Sequence, residues 1–163
     1  MIEEYFIHLA ILICIYIILA VSLQVSFGYG GLLNLGHVAF FGIGAYVSAL
    51  LLLNGFSFII SLIAAIFVAG AFGWFLSILT GKLTSDYLTL VTLGFSFVVY
   101  AILLNWKDVT GGPQGMPDIP RPDIFGFVLS DSLPFFVFTI CITLISYLFI
   151  HRVCNSPFGK AIE

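Results

Sequence analysis

Residues 56–80 read FSFIISLIAAIFVAGAFGWFLSILT, with no Asp, Glu, Lys, Arg or His among them. A bilayer-crossing helix needs about 20 predominantly apolar residues, so this run is long enough to span. It also carries a rhythm: Ser61, Ala65, Ala69, Gly73 and Ser77 are small at every fourth position. On a helix these positions make one flat ridge along which a neighbouring helix can approach closely. Chance spacing in a Gly- and Ala-rich chain is the bland alternative. The ridge speaks for a packed bundle and does not by itself make a pore.

The same composition continues outward from that run. The chain of 163 residues is 61% hydrophobic and 8% charged, with a mean hydropathy of +1.21. Soluble domains carry about a quarter charged residues, and a soluble fold of this size has too little interior to hide so much apolar surface. The solvent is therefore lipid. A net charge of −3 with five Lys and Arg leaves no basic patch, which argues against nucleic acid as a partner. Cys14, Cys141 and Cys154 share no metal-ligand spacing and read as packing thiols. The first apolar run follows Glu3 and Glu4, where a secretory signal peptide would have Lys or Arg, and it exceeds an h-region of about 7–15 residues. No cleaved leader is expected.

Apolar runs then predict an all-α integral membrane fold. We expect a single transmembrane domain, a packed bundle of about five helices over residues 6–27, 38–53, 56–80, 87–106 and 133–150. The second span is short and is approached through the glycine-rich GYGGLLNLGH of residues 28–37. It is a candidate discontinuous or re-entrant segment, which is tolerated at membrane depth only where protein or a water-filled cavity surrounds it. With five spans, Lys82, Arg152 and Lys160 share one side, and Lys107 and Arg121 lie on the other, diluted by Asp108, Asp118, Asp123 and Asp131. The positive-inside bias places the first side in the cytoplasm. The loop 107–132 and the N-terminus are then external, and residues 151–163 form a cytoplasmic segment.

Polar groups within the spans are few. Ser85, Thr89, Thr92, Ser96 and Tyr100 share one helical face of the fourth span. They either bond backbone carbonyls and neighbouring helices, as membrane Ser and Thr often do, or line a translocation path. Thr89, Thr92, Ser96 and Tyr100, with Asn34 and His37 of the glycine-rich approach, are the path candidates. His8 and His37 stand near span boundaries, where a lone histidine is most often structural. No acid or base lies mid-span, which counts against proton- or ion-coupled transport, since such sites place acids there.

In the external loop, TGGPQGMP (110–117) combines glycines that allow positive φ with Pro113 and Pro117, which fix φ near −65°. A stiff loop without strand or helix is expected. Catalytic signatures are missing. Gly81-Lys82 lacks the rest of a phosphate-binding loop, and neither H-E-x-x-H nor G-x-S-x-G occurs. An enzyme is not expected, and any uphill transport would draw its energy from a partner.

Four motifs occur in order: FGYGGLLNLGHVAFFGIGAY (27–46), DYLTLVTLGFSFVV (86–99), TGGPQGMP (110–117) and SPFGKAIE (156–163). Together they resemble the inner-membrane permease subunit of branched-chain amino acid ABC transporters, the LivM-like family. Its members are about twice as long, so the chain resembles their N-terminal half. The resemblance implies import of leucine, isoleucine, valine or a similar neutral amino acid across the bacterial inner (cytoplasmic) membrane. Implied partners are separate ATPase subunits that bind the ATP, a second, LivH-like permease subunit, a periplasmic binding protein and the bilayer. No cofactor of its own is implied. Thr110, Gly111, Gly112, Pro113 and Gly115 become candidates for docking the binding protein, or else a passive turn. Ser156, Pro157, Phe158, Gly159, Lys160 and Ala161 become candidates for a coupling helix against the ATPase. Asn155-Ser156-Pro157 is itself a helix-start signal. A truncated, non-transporting membrane fragment, and a related permease for urea or another neutral solute, stand as the alternatives.

Overall fold

The computed structural model describes residues 2–29, 31, 34–81, 83–124, 127–128 and 132–155. These residues form an all-α membrane fold, apart from one short hairpin. Helix α1 spans Ile2–Gln24 and continues as a π-helical turn, Val25–Tyr29; α2 spans His37–Leu53, α3 Phe58–Thr80 and α4 Ser85–Asn105. A single turn, α5 (Lys107–Thr110), follows, then a 3-10 turn, Gly112–Gln114, the antiparallel strands β1 (Asp123–Ile124) and β2 (Phe127–Val128), and α6 (Ser132–Cys154).

The helices α1, α3, α4 and α6 are each long and apolar enough to cross a membrane. At 1.5 Å per residue, the 23 residues of α3 reach about 35 Å, against a hydrocarbon core of about 30 Å. Large apolar side chains face outward along them, with Phe67 74% and Trp74 72% exposed. That arrangement suits lipid and would be costly in water. The 17 residues of α2 reach only about 26 Å.

The chain divides into two compact units, residues 1–33 with 129–163 and residues 34–128. In the first, α1 packs against α6. Two threonine hydroxyls of α6 are absorbed by their own helix: Thr139 donates to the Phe135 carbonyl and Thr143 to the Thr139 carbonyl, both at 2.8 Å.

In the second unit α2, α3 and α4 pack together, with α2 in contact with both of the others. The α2–α3 connection is short because α2 is closed at once. Gly55 adopts φ +83°, and the Phe56 and Gly55 N–H groups donate back to the Leu51 and Leu52 carbonyls, the Schellman arrangement of a helix C-terminus. The small ridge of α3 then lies against α2. A Cβ placed on Gly44 would stand 4.0 Å from the Ala69 Cβ, and one placed on Gly73 would stand 3.9 Å from the Phe40 ring. Ser61 is 0% exposed, its hydroxyl donating to the Ser57 carbonyl at 3.1 Å. Ser77, at the far end of the ridge, is exposed.

The loop after α4 departs from the expectation of no regular structure. It contains the α5 turn, the 3-10 turn and the β1–β2 hairpin. Gly111, in the left-handed region at φ 72°, closes α5 by donating to the Lys107 carbonyl. Pro113 sits in the first positions of the 3-10 turn, where its fixed φ suits the turn and its missing N–H is not needed.

Enlarging the ridge tests this packing. Ala69→Leu is expected to lower stability by about 1–3 kcal/mol, the usual cost of overpacking. Ser77→Leu, on the exposed end, should change it little. Thermal unfolding of both variants in detergent measures the difference.

Candidate functional site

Three of the six path candidates, Asn34, Thr92 and Ser96, meet at one short piece of backbone. Asn34, Leu35 and Gly36 precede α2 without being helical. The Leu35 N–H donates to Thr92 Oγ1 at 3.1 Å, and its carbonyl accepts from Ser96 Oγ at 2.8 Å. Thr92 and Ser96 are one helical turn apart on α4 and so grip both polar groups of a single residue. Thr92 is 2% exposed, and its own proton goes to the Thr89 carbonyl at 3.0 Å. The Gly36 N–H donates to Asn34 Oδ1 at 2.9 Å, and the Gly36 carbonyl accepts from Ala39 and Phe40 at the start of α2.

Glycine at 36 suits the close approach of this strap to α4, where a side chain would crowd its neighbours. A Cβ there would stand 3.0 Å from Asn34 Oδ1 and 3.4 Å from both the Thr92 Cβ and the Thr92 carbonyl oxygen. Position along α4 gives the depth. Thr92 and Ser96 lie about 10 and 16 Å from the Ser85 end of a helix about 31 Å long. The strap therefore docks near the middle of a membrane-crossing helix. The non-helical residues Asn34–Gly36 lead into α2 at that depth.

Beyond the strap, Leu35, Val38, Phe41, Gly42, Ser96, Phe97 and Tyr100 line an open groove of about 510 Å³ between α2 and α4. The Phe40 and Phe95 rings pack beside it with centroids 5.4 Å apart. Tyr100 is exposed. Thr89, which donates to the Ser85 carbonyl at 3.1 Å, and His37, the first residue of α2, are both half-buried.

The polar loop is built around Thr110, which is 3% exposed. Its hydroxyl sits 2.6 Å from the Leu103 carbonyl and 2.9 Å from that of Trp106, and accepts the Gly112 N–H at 3.2 Å. It thus folds the loop back onto the end of α4. Two neighbours must be glycine. A Cβ on Gly111 would collide with the Gly115 carbonyl oxygen. One on Gly112, at φ +61°, would stand 3.0 Å from Lys107 Cγ and 3.1 Å from the Leu104 carbonyl. Met116 and Ile119 line a cleft of about 200 Å³ with Ala45, Tyr46 and Ala49 of α2. Pro113 is exposed and Gly115, at φ +69°, is half-buried. The coupling candidates Ser156, Pro157, Phe158, Gly159, Lys160 and Ala161 lie outside the described residues.

Residues 5–163 match the family described as the permease component of the branched-chain amino acid transport system. The chain belongs to that family. It is 35% identical to the high-affinity branched-chain amino acid transport system permease protein LivM of Escherichia coli (strain K12), over 96% of this chain and 43% of that protein. It is 28% identical to the probable branched-chain amino acid transport permease protein LivM of Methanocaldococcus jannaschii, over 91% of this chain and 53% of that protein. The chain thus spans about half the length, or less, of these curated relatives. No solved structure matches it. Family membership and apolar helices together make it a multi-pass membrane permease chain.

Sequence reasoning finds the hydroxyl face of this permease chain but misses the partner of that face. The signal is the turn-forming Asn34-x-Gly36, a spacing at which Asn bonds the backbone two residues on. Two substitutions probe the site. Thr92→Val leaves the Leu35 N–H unpaired and should cost about 0.6 kcal/mol, up to about 1.7, the range for membrane side-chain hydrogen bonds. Gly111→Ala should cost about 1–3 kcal/mol from the left-handed backbone alone, and more through the collision with Gly115. Both are read as unfolding free energies in detergent.

Proposed function

We propose that this chain forms part of the permease subunit of an ABC importer. The importer carries leucine, isoleucine, valine or a similar neutral amino acid across the bacterial inner membrane by alternating access. The observation that carries the proposal is the family match over residues 5–163. The absence of Asp, Glu, Lys and Arg from the middle of the spans supports it, because an uncharged lining suits cargo with no net charge. This chain catalyses no reaction and holds no cofactor of its own. ATP is bound and hydrolysed by separate subunits, and a second permease subunit and an external binding protein complete the assembly.

Charge bias supports the orientation. Lys82, Arg152 and Lys160 face the cytoplasm, and the loop 107–132 faces outward. The Thr110-centred fold of Gly111, Gly112, Pro113 and Gly115 then offers a surface of fixed shape to the binding protein. On the cytoplasmic side, α6 ends with His151 and Arg152 in its last turn. Residues Ser156 to Ala161 follow as the contact with the ATPase, Phe158 as its apolar anchor and Lys160 at its rim.

The assembled transporter in proteoliposomes is expected to accumulate labelled leucine when ATP is supplied, with isoleucine and valine competing. ATP-driven uptake of urea with no leucine uptake would reassign the substrate, and no ATP-driven uptake of any neutral solute would overturn the proposal. Within that assembly, Phe158→Ala should weaken recovery of the ATPase in a pull-down by about 2 kcal/mol, the scale of an interface hot spot, and Lys160→Ala far less. Equal recovery with Phe158→Ala and the unaltered protein would remove Phe158 as the anchor.

A further inference from the structure

The hydroxyls of Thr92 and Ser96 hold the Leu35 peptide by hydrogen bonds of 3.1 and 2.8 Å, and three features set this contact apart from ordinary helix packing. First, it is made to backbone that belongs to no helix, at the depth of the middle of α4. In a bilayer such backbone must be satisfied by protein. Here two side chains on one rigid helix do so, and a ladder of backbone bonds does not. Second, Leu35 is the second residue of the compact unit that also holds α4, so the grip ties the first residues of that unit to its own helix. Third, the strap has its own means of keeping shape when released. Asn34 Oδ1 holds the Gly36 N–H, and the Gly36 carbonyl stays bonded within α2. Opening the contact breaks no helical turn and frees one N–H and one carbonyl at Leu35, which water in the open groove that Leu35 lines would then satisfy. On release, Thr92 keeps its bond to the Thr89 carbonyl.

We infer that Thr92 and Ser96 form a latch on the Leu35 peptide that opens and recloses during transport, letting the start of α2 move against α4. This rests on the proposed transport function. Thr92 and Ser96 are positioning residues in it: they hold the strap, and the adjoining groove lined by Phe41, Phe97 and Tyr100 changes shape when they let go. An apolar groove whose wall is fixed by two hydroxyls can be remade in a single local step, because few contacts have to break together.

Preventing release tests the latch. Leu35→Cys and Ser96→Cys are introduced together into the complete assembled transporter, with Cys14, Cys141 and Cys154 replaced by serine or alanine. A short bis-methanethiosulfonate then joins the pair, each thiolate forming a disulfide and displacing methanesulfinate. ATP-driven leucine uptake should fall at least tenfold on cross-linking and return when the link is reduced, with the subunits still assembled. Undiminished uptake at complete cross-linking would overturn the latch while leaving the transport function standing. Absence of uptake by the unaltered assembly would instead overturn the function itself.

Should the paired cysteines stop uptake before any reagent is added, the unaltered assembly gives the answer by hydrogen exchange. In peptides that begin at least two residues before Leu35, the single Leu35 amide should exchange at least tenfold faster in one of two states, nucleotide-free or vanadate-trapped, with the α2 amides unchanged. Equal rates in both states would overturn the latch.

Discussion

Hydrocarbon offers no hydrogen bonds, so every buried backbone N–H and carbonyl must find its partner within the protein. The long helices meet that requirement by themselves, and their Ser and Thr side chains turn inward to their own carbonyls, as Ser61, Thr80, Thr139 and Thr143 do. Among the described residues no buried side-chain nitrogen or oxygen lacks a partner. Among the described residues the demand is most severe where the chain lies outside a helix at depth, at Asn34–Gly36. There the requirement dictates residue types: an Asn to bond two residues ahead, a Gly to allow contact with α4, and two hydroxyls one turn apart to take the peptide between them.

The same constraint operates differently beyond the end of α4. The segment from Lys107 to Gly115 doubles back, and Thr110 supplies the acceptor and donor that the turn lacks. Gly111 and Gly112 follow because the returning chain comes too close for any side chain. Both the strap and this loop are places where irregular backbone is fixed by one or two hydroxyls beside glycines that allow close approach. Both belong to motifs that the family resemblance rests on. The shared physical origin explains why these motifs read as mixtures of Gly, Thr, Ser and Asn within otherwise apolar surroundings.

The helix ridge has a simpler cause. Without a hydrophobic driving force between helices in lipid, close packing must supply the attraction, and small residues let backbones approach. Ala69 opposite Gly44 and Gly73 opposite Phe40 show both uses: two small residues where the backbones come near, and a small residue making room for a ring. The ridge loses contact toward Ser77, so its period outlasts its function.

Much of this was determined by the sequence alone. Composition forced a membrane fold, because no soluble core could hold 61% hydrophobic residues. Run lengths pointed to helices long and apolar enough to cross a membrane, of which the described residues hold four, and period four marked Ala69 and Gly73, which lie opposite Gly44 and Phe40. The tertiary structure decided the rest. Thr92 and Ser96 were legible as one face of a helix. That they hold Leu35, 57 and 61 residues away in the chain, was not, because no periodic signal links a side chain to a distant backbone group. The loop after α4 carries no strand or helix signal in its sequence because glycine and proline break local periodicity. It acquires its turns only when Thr110 bonds back to Leu103 and Trp106, and that pairing exists only once α4 ends where it does.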